Sequence, residues 1–255
     1  MDLLAWYKYA TRREQSNSAG LASHPPMDTQ RIASALANVE LFGSLEGGVV
    51  QDLADRVGAN ARQVKKGGAI FVQGEPANRM YLLLEGMIRL LVISDDGAVL
   101  ELARHRPPAV FGEIAVLDGE ARTASAEAIE TSTVVTIPRE ELIWLLQSNA
   151  DVLDALLRSL GRMVRRTTRQ LTDLVFLDVE GRVARQLLLL ADTPQQGSRL
   201  RTGRITQTEL GEMVGGTRQT VNKALRSFKR RGFIRSAGLA FEIIDPEALR
   251  RRAHA

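Results

Sequence analysis

The sequence contains no cysteine, which excludes disulfide bonds, cysteine-ligated iron–sulfur clusters and thiol redox sensing. This fits a reducing compartment such as the cytoplasm. Its three histidines, His24, His105 and His254, are scattered, so no metal site is expected. No stretch approaches the roughly 18 apolar residues of a membrane-spanning helix, and the run Leu187–Ala191 is far too short. No membrane association is expected. Nothing in the chain pairs a nucleophile with a base or sets a general acid against a general base, so an enzyme is not expected. No internal repeat is visible.

What is present is ordinary in amount and uneven in placement. The 255 residues are 44% hydrophobic and 25% charged, typical of a globular chain with one large domain or two modest ones. The formal net charge is +4. Residues 201–255 hold 12 Lys and Arg against 5 Asp and Glu, whereas the first 200 hold 22 against 25. A basic C-terminal unit on a slightly acidic body points to a polyanionic partner at that end. A solvated basic tail is the alternative. Residues 1–27 are polar, lack a secretory cleavage pattern and end in Pro25-Pro26; they are set apart as an N-terminal extension, either disordered or an over-called start.

The periodicity changes along the chain. Between residues 60 and 140, short apolar runs alternate with turn signals at Gly74-Glu75-Pro76, Glu85-Gly86 and Asp95-Asp96-Gly97. That spacing predicts a small antiparallel barrel or jelly roll. Beyond Pro138, Leu153, Leu157, Leu160, Val164, Thr167, Leu171 and Leu174 step alternately by four and three. Such a seam suits a two-stranded coiled coil and hence a homodimer. Leu156, Met163 and Val175 widen the stripe enough for packing on the helix's own barrel, and a helix packed only within its subunit is the alternative. Asp178 and Glu180 beside Gly181 either break this helix or begin the next, which runs to Ala191 before a loop at Asp192–Arg204.

"ITQTELGEMVGGTRQTVNKAL", from Ile205, has the signals of a helix-turn-helix. Thr206 is an N-cap with Glu209 as its capping-box partner. A first helix ends at Val214, Gly215-Gly216 makes the turn, and Thr217 caps a second helix beginning with Arg218, Gln219 and Thr220. Arg218, Gln219, Asn222 and Lys223 take one side of that helix; Val221, Ala224, Leu225 and Phe228 take the other. Gly211 permits close approach of the two helices. Ile234–Ile244, with Gly238 in the middle, reads as a hairpin wing. An ordinary helical hairpin with a solvated basic face is the bland alternative.

The stretch "FGEIAVLDGEARTAS", residues 111–125, sets Glu113, Arg122 and Thr123 around a glycine-hinged turn of small and apolar residues. A guanidinium fork and the backbone N–H groups of Ile114 and Ala115 after Gly112 suit a small anion. A surface salt bridge is the alternative, which the small residues Ala121, Ala124 and Ala126 disfavour.

"GGAIFVQGE", "FGEIAVLDGEARTASA", "FLDVEGRVARQLL" and the helix-turn-helix segment, in that order, resemble the cyclic-AMP receptor protein/fumarate–nitrate regulator family of bacterial transcription regulators. The resemblance covers about residues 30–245. It implies an α+β chain made of a cyclic-nucleotide-binding β-roll, a dimerisation helix and a winged helix-turn-helix. The divisions expected are 28–150, 151–178 and 179–255. It also implies a cytoplasmic homodimer that binds double-stranded DNA, with RNA polymerase as a further partner. Residues 112–123 match the phosphate-binding cassette, which here includes Gly112, Glu113, Ile114, Ala115, Arg122 and Thr123. Glu113 matches the carboxylate that holds the ribose 2′-hydroxyl, Arg122 the guanidinium on the cyclic phosphate, and Thr123 a further phosphate hydrogen bond. Thr167 and Thr168 match the hydroxyls that hold adenine, one from each subunit; a back-bond to the helix carbonyl is the other use for Thr167. Thr206, Thr217, Arg218, Gln219, Thr220, Asn222 and Lys223 match the DNA-binding positions. Two departures stand out: "RHRPPAVFGE" replaces a glycine-rich approach, bringing His105 or Arg106 near the pocket, and the cassette is one residue shorter than in the best-known member. The implied ligand is cyclic AMP, with cyclic GMP or no ligand as alternatives.

Overall fold

The structure, a computed structural model, describes residues 28–192 and 200–254. The extension at residues 1–27 and most of the expected loop at Asp192–Arg204 therefore lie outside the described residues. The chain divides into two compact units, one comprising the chain up to Ala98 with Leu102–Met163, the other Val99–Glu101 with the chain from Val164 onward.

The first unit opens with α1 (Thr29–Ala37) and α2 (Gly47–Val57). Asp28 caps α1 by accepting from the Gln30 N–H at 3.0 Å. Ile32 and Leu36 on α1, and Val50, Leu53, Ala54 and Val57 on α2, are buried at helical spacing. Eight strands follow: β1 (Ala61–Val64), β2 (Ala69–Phe71), β3 (Arg79–Glu85), β4 (Ile88–Ile93), β5 (Val99–His105), β6 (Ala109–Phe111), β7 (Ser125–Ala128) and β8 (Ser132–Pro138). A short helix, α3 (Ile114–Asp118), stands between β6 and β7. The strands form two four-stranded sheets, ordered β1-β8-β3-β6 and β2-β7-β4-β5.

β3 shows why the roll holds. Its five central residues are all buried, and the period of two sorts them. Met80, Leu82 and Leu84 join the core built with α1 and α2, whereas Tyr81 and Leu83 join a separate cluster with Val64, Phe71, Phe111 and Val134. A strand covered on both faces reads as a continuous apolar run, as "MYLLL" does.

Two helices close this unit and lead out of it: α4 (Arg139–Ser148) and α5 (Ala150–Phe176). Val152, Ala155 and Leu156 are buried against the first core, and Leu160 packs on it as well. Leu160 thus serves its own subunit although it stands in the heptad seam. Val175, expected to pack inward, is 66% exposed instead. Of the other seam residues, Leu157, Val164 and Leu171 are 58–64% exposed, Leu153 and Leu174 are 40–44% exposed, and Thr167 is exposed as well.

The second unit continues with α6 (Val179–Leu190), β9 (Ala191–Asp192), β10 (Arg201–Thr202), α7 (Gln207–Val214), α8 (Arg218–Arg230), β11 (Ile234–Ala237), β12 (Ala240–Ile243) and α9 (Pro246–Arg252). The expected wing is the antiparallel pair β11–β12, and β10 and β9 extend it into a four-stranded sheet. The expected loop at Asp192–Arg204 is thus not all loop: Asp192 and Arg201–Thr202 within it belong to two short paired strands. Helix α9 was not foreseen; Asp245 caps it by accepting from the Ala248 N–H at 2.9 Å, and Pro246 occupies its first turn. Val183, Leu187, Leu210, Val221, Leu225 and Phe228 form the centre of this core.

Asp178 decides the start of α6. Its carboxylate accepts from the Gly181 N–H at 2.8 Å, so the acidic cluster begins a helix. Arg252 of α9 reaches back to the same carboxylate and to Glu180. The Gly181 N–H and, more weakly, Arg252 hold the Asp178 carboxyl below its ordinary value, against the opposing effect of burial.

Phe228 is fully buried, so Phe228→Ala should destabilise the second unit by about 3–5 kcal/mol in urea unfolding. Ile244→Ala, at a position 47% exposed, should change it by less than about 1 kcal/mol. A depressed carboxyl contributes stability that is present above its unfolded value, near 3.9, and is lost as pH falls through the lower folded value. Urea midpoints of wild type and Asp178→Asn should therefore differ by a constant amount above about pH 5 and converge on further acidification.

Candidate ligand cavity and nucleic-acid interface

The cassette hinges on Gly112, whose φ of +80° is open to glycine at little cost. A Cβ there would lie 2.9 Å from Arg122 Nη1 and 3.1 Å from the Phe71 ring. Glu113 begins α3, and Gly119 ends it in the left-handed region. The chain then returns beside the "QGE" turn: the Arg122 N–H donates to Glu75 O at 2.8 Å and the Gly74 N–H to Arg122 O at 2.9 Å. This pair of backbone bonds fixes where the Arg122 side chain enters the roll.

Arg122 is only 4% exposed. Its Nη1 donates to Gly112 O at 2.7 Å and its Nη2 to Arg79 O at 2.6 Å, while the guanidinium carbon lies 4.1 Å from the Phe71 ring centroid. Phe71, Tyr81 and Phe111 stack on one another with centroids 5.5–6.1 Å apart. Burial pulls the Arg122 pKa down, and Tyr81 and Glu75 oppose that pull. A guanidinium stays charged regardless.

Arg122 faces a cavity of about 320 Å³, lined also by Arg62, Phe71, Glu75, Arg79 and Tyr81. Sequence reasoning passed over these five. Phe71 and Glu75 lie in the quoted "GGAIFVQGE" segment, but Arg62, Arg79 and Tyr81 join them only through strand register.

The remaining cassette residues divide. Gly112 touches Arg122 directly, Ala115 is buried, and Glu113 and Ile114 are half-buried. Thr123 is exposed, and neither it nor Glu113 lines the Arg122 cavity. Ala121 is exposed, against expectation, while Ala124 and Ala126 are buried. Of the two candidates upstream, Arg106 is exposed, whereas the His105 ring lies 5.9 Å from that of Phe111. Thr167 and Thr168 are exposed on α5 and belong to the second unit. A back-bond of the kind weighed for Thr167 is made one turn later, where the Thr172 hydroxyl donates to Thr168 O at 2.9 Å.

The helix-turn-helix is built by caps. Thr206 Oγ1 accepts from the Glu209 N–H at 3.1 Å, and Glu209 Oε2 accepts from the Thr206 N–H at 2.8 Å. Helix α7 ends at Gly215, with φ of +62°. A Cβ on Gly211 would lie 2.6 Å from Gly216 O, so glycine is required where the turn crosses the helix. Thr217 caps α8 by accepting from the Thr220 N–H at 3.2 Å, and the Thr220 hydroxyl donates to Thr217 O at 2.8 Å. Val221, Ala224, Leu225 and Phe228 are buried beneath α8. Arg218, Gln219, Thr220 and Lys223 are exposed, as are Arg226, Lys229 and Arg230. Asn222 differs from them: it is half-buried, and its Nδ2 donates to Gln207 Oε1 at 2.8 Å, tying α8 to α7. Thr206 likewise has its hydroxyl engaged in its own cap.

A two-sheet roll with a buried guanidinium at a glycine hinge, followed by a capped, basic helix-turn-helix with a β wing, defines a ligand-responsive DNA-binding regulator. Residues 61–149 match the cyclic nucleotide-binding domain and residues 181–252 the Crp-like helix-turn-helix domain. The CRP-like cAMP-activated global transcriptional regulator of Mycobacterium tuberculosis is 37% identical over 221 residues, covering 86% of this chain and 98% of that protein. The cAMP-activated global transcriptional regulator CRP of Pasteurella multocida is 33% identical over 171 residues, covering 65% of this chain and 80% of that protein. A solved CRP/FNR-family transcriptional regulator from Thermus thermophilus superposes with a TM-score of 0.62 at 27% identity, covering 76% of this chain and 98% of the other. The c-di-GMP responsive regulator CLP of Xanthomonas campestris, at 22% identity and a TM-score of 0.66, shares the fold. The chain belongs to the CRP-like family of transcriptional regulators.

Proposed function

We propose that this chain is a cytoplasmic homodimer whose affinity for operator DNA is set by cyclic AMP. The observation that carries the reading is Arg122: a buried cation, beside a glycine hinge, whose hydrogen-bond acceptors are two neutral carbonyls. A cyclic phosphate offers the same fork two exocyclic oxygens that share one negative charge and bind more strongly than neutral carbonyls. The named relatives from M. tuberculosis and P. multocida are cAMP-activated, which favours adenine over guanine. On this reading Glu113 takes the ribose 2′-hydroxyl, Thr123 adds a phosphate bond, and Thr167 and Thr168 meet the base from the two subunits. We read the chain as a regulator and not an enzyme on the family it belongs to.

The exposed seam Leu157, Val164 and Leu171 supports dimerisation through α5, since three large apolar side chains at coiled-coil spacing gain from a second copy. We divide the work among residues 28–150 for the ligand, 151–178 for the dimer and 179–255 for DNA. The ligand acts by population shift, so it must bind the DNA-competent state more tightly than the other.

Arg122→Ala should weaken cyclic AMP binding by at least about thirtyfold, as expected for loss of a desolvated charge-assisted pair. Arg122→Lys keeps the charge without the fork and should fall between the two. Calorimetry with cyclic AMP and cyclic GMP side by side, on variants shown to unfold cooperatively, is the measurement. Unchanged affinity in Arg122→Ala would remove the cassette reading.

On the DNA side, Arg218 stands at the exposed first turn of α8 and suits guanine O6 and N7. Gln219 both donates and accepts, which suits adenine N6 and N7, where the cyclic-AMP receptor protein has a Glu. Lys223 replaces an Arg fork with a single flexible charge. Lys229, Arg230 and Arg231 suit phosphates and set the salt dependence. The operator should be palindromic with half-sites roughly 34–36 Å apart. Binding-site selection on wild type and Gln219→Glu should give different preferences at the pair facing residue 219, with the guanine facing Arg218 retained. Identical half-sites selected with equal strictness would take Gln219 out of the readout.

A further inference from the structure

The cavity beside Arg122 carries more positive charge than the cassette needs. Arg62, Arg79 and Arg122 all line it, against the single carboxylate of Glu75. Each guanidinium is bonded to a neutral oxygen: Arg62 Nη2 to Ile70 O at 3.2 Å, Arg79 Nε to Asn78 Oδ1 at 2.9 Å, and Arg122 to two main-chain carbonyls. Among the described residues none of the three forms an ion pair. Glu75 meanwhile uses Oε2 to accept from the Val72 N–H at 3.0 Å, within its own turn.

Register brings these groups together. Tyr81 pairs with Thr136, Leu83 with Val134, and Val134 with Arg62. Neighbours across antiparallel strands share a face, so Arg62, Tyr81 and Thr136 point the same way. The Tyr81 ring has the guanidinium carbons of Arg62 and Arg122 each 5.8 Å from its centroid. The ring faces and the carbonyls tolerate the charges without neutralising them. The cavity, at about 320 Å³, lies at the lower end of the range for small-molecule sites.

We propose that this cavity is a second anion site, for inorganic phosphate or a small phosphate monoester, and that it shares Arg122 with the cassette. Arg62 and Arg79 supply the other two forks, and the hydroxyls of Tyr81 and Thr136 supply neutral hydrogen bonds. One guanidinium cannot serve two anions at full strength. Occupancy of this cavity therefore opposes cyclic nucleotide binding, and by linkage the nucleotide opposes the anion to the same degree. The coupling rests on the cassette reading given above; the site itself does not.

The test is calorimetry on the full chain with inorganic phosphate, in chloride buffer of matched ionic strength. Saturable phosphate binding is expected, weakened about tenfold or more by Arg62→Gln and by Arg79→Gln. Arg79 is exposed, so its side chain is removable without disturbing the core, and its backbone carbonyl remains for Arg122. Saturating phosphate should raise the apparent Kd of cyclic AMP by roughly 5-fold or more in wild type and leave Arg62→Gln little changed. Absence of saturable phosphate binding, or binding unchanged in both variants, overturns the site. Phosphate binding with no effect on cyclic AMP affinity overturns the sharing of Arg122. Failure of cyclic AMP to bind in phosphate-free buffer would count against the cassette reading alone, since the direct phosphate titration stands without it.

Discussion

Arg122 takes a permanent charge into the roll against the stacked rings of Phe71, Tyr81 and Phe111, and the surrounding backbone is arranged to accommodate it. An unpaired buried cation would be prohibitive, so the fork must find oxygen on both sides. It finds Gly112 O in the cassette and Arg79 O at the start of β3, with the face of Phe71 against it. Those three contacts account for several local features at once. Gly112 lacks a Cβ because the guanidinium occupies that space. The "QGE" turn pairs with the backbone of Arg122 because the side chain has to enter at a set height. The cassette is thereby tied to β3 and β2 of the roll.

The second unit uses the same device for a different purpose. Arg182 donates from Nε to Val214 O at 2.8 Å and from Nη1 to Leu177 O at 2.7 Å. Val214 ends α7, and Leu177 follows the last residue of α5. Both carbonyls belong to helix ends, where no backbone N–H is left to satisfy them. One guanidinium thus links the end of α5 to the end of the first helix of the DNA-binding motif. Arg185 adds a 2.6 Å pair with Asp173 on the last turn of α5. Breaking the Arg182 bonds would strand two carbonyls and a cation, so they hold these helix ends together.

The legible part of this chain is the part whose physics is local. Thr206 with Glu209, and Thr217 with Thr220, are caps completed within three residues, and Gly211 and Gly215 mark a turn that no side chain fits. The Asp96-Gly97 hairpin is of the same kind, with Gly97 at φ of +83°. What stayed hidden depends on partners distant in sequence. Arg62 and Arg79 meet Arg122 only because β1, β8 and β3 pair in one register. Leu160 stands in a heptad seam yet packs on the first core, because the start of α5 covers its own roll. Helix α9 is seven residues long with little apolar periodicity, and it is held by Asp245 at one end and by Arg252 against Asp178 and Glu180 at the other. The Asp-Pro step that starts it is a signal that sequence reading passed over.

Charge sets a last condition on how such a protein is regulated. The C-terminal unit is strongly basic, and much of that charge lies on the exposed side of α8 and just beyond it. Attraction to phosphates is long-ranged and independent of sequence, so this surface binds DNA to some extent in any state of the ligand site. Regulation must then act on specific binding, which in a dimer requires both recognition helices to reach their half-sites together. Coupling between two sites in one protein is commonly 1–3 kcal/mol, or about 5- to 150-fold in affinity. That is a fraction both of the electrostatic contribution and of the roughly 4–10 kcal/mol that separates specific from non-specific sites, yet it changes operator occupancy by about 5- to 150-fold when free protein is scarce. A ligand that turns on one buried guanidinium can supply a difference of this size, because exchanging neutral carbonyls for a phosphate strengthens each bond of the fork. On the proposed reading, the same arithmetic would make such a switch sensitive to anything else that engages that guanidinium.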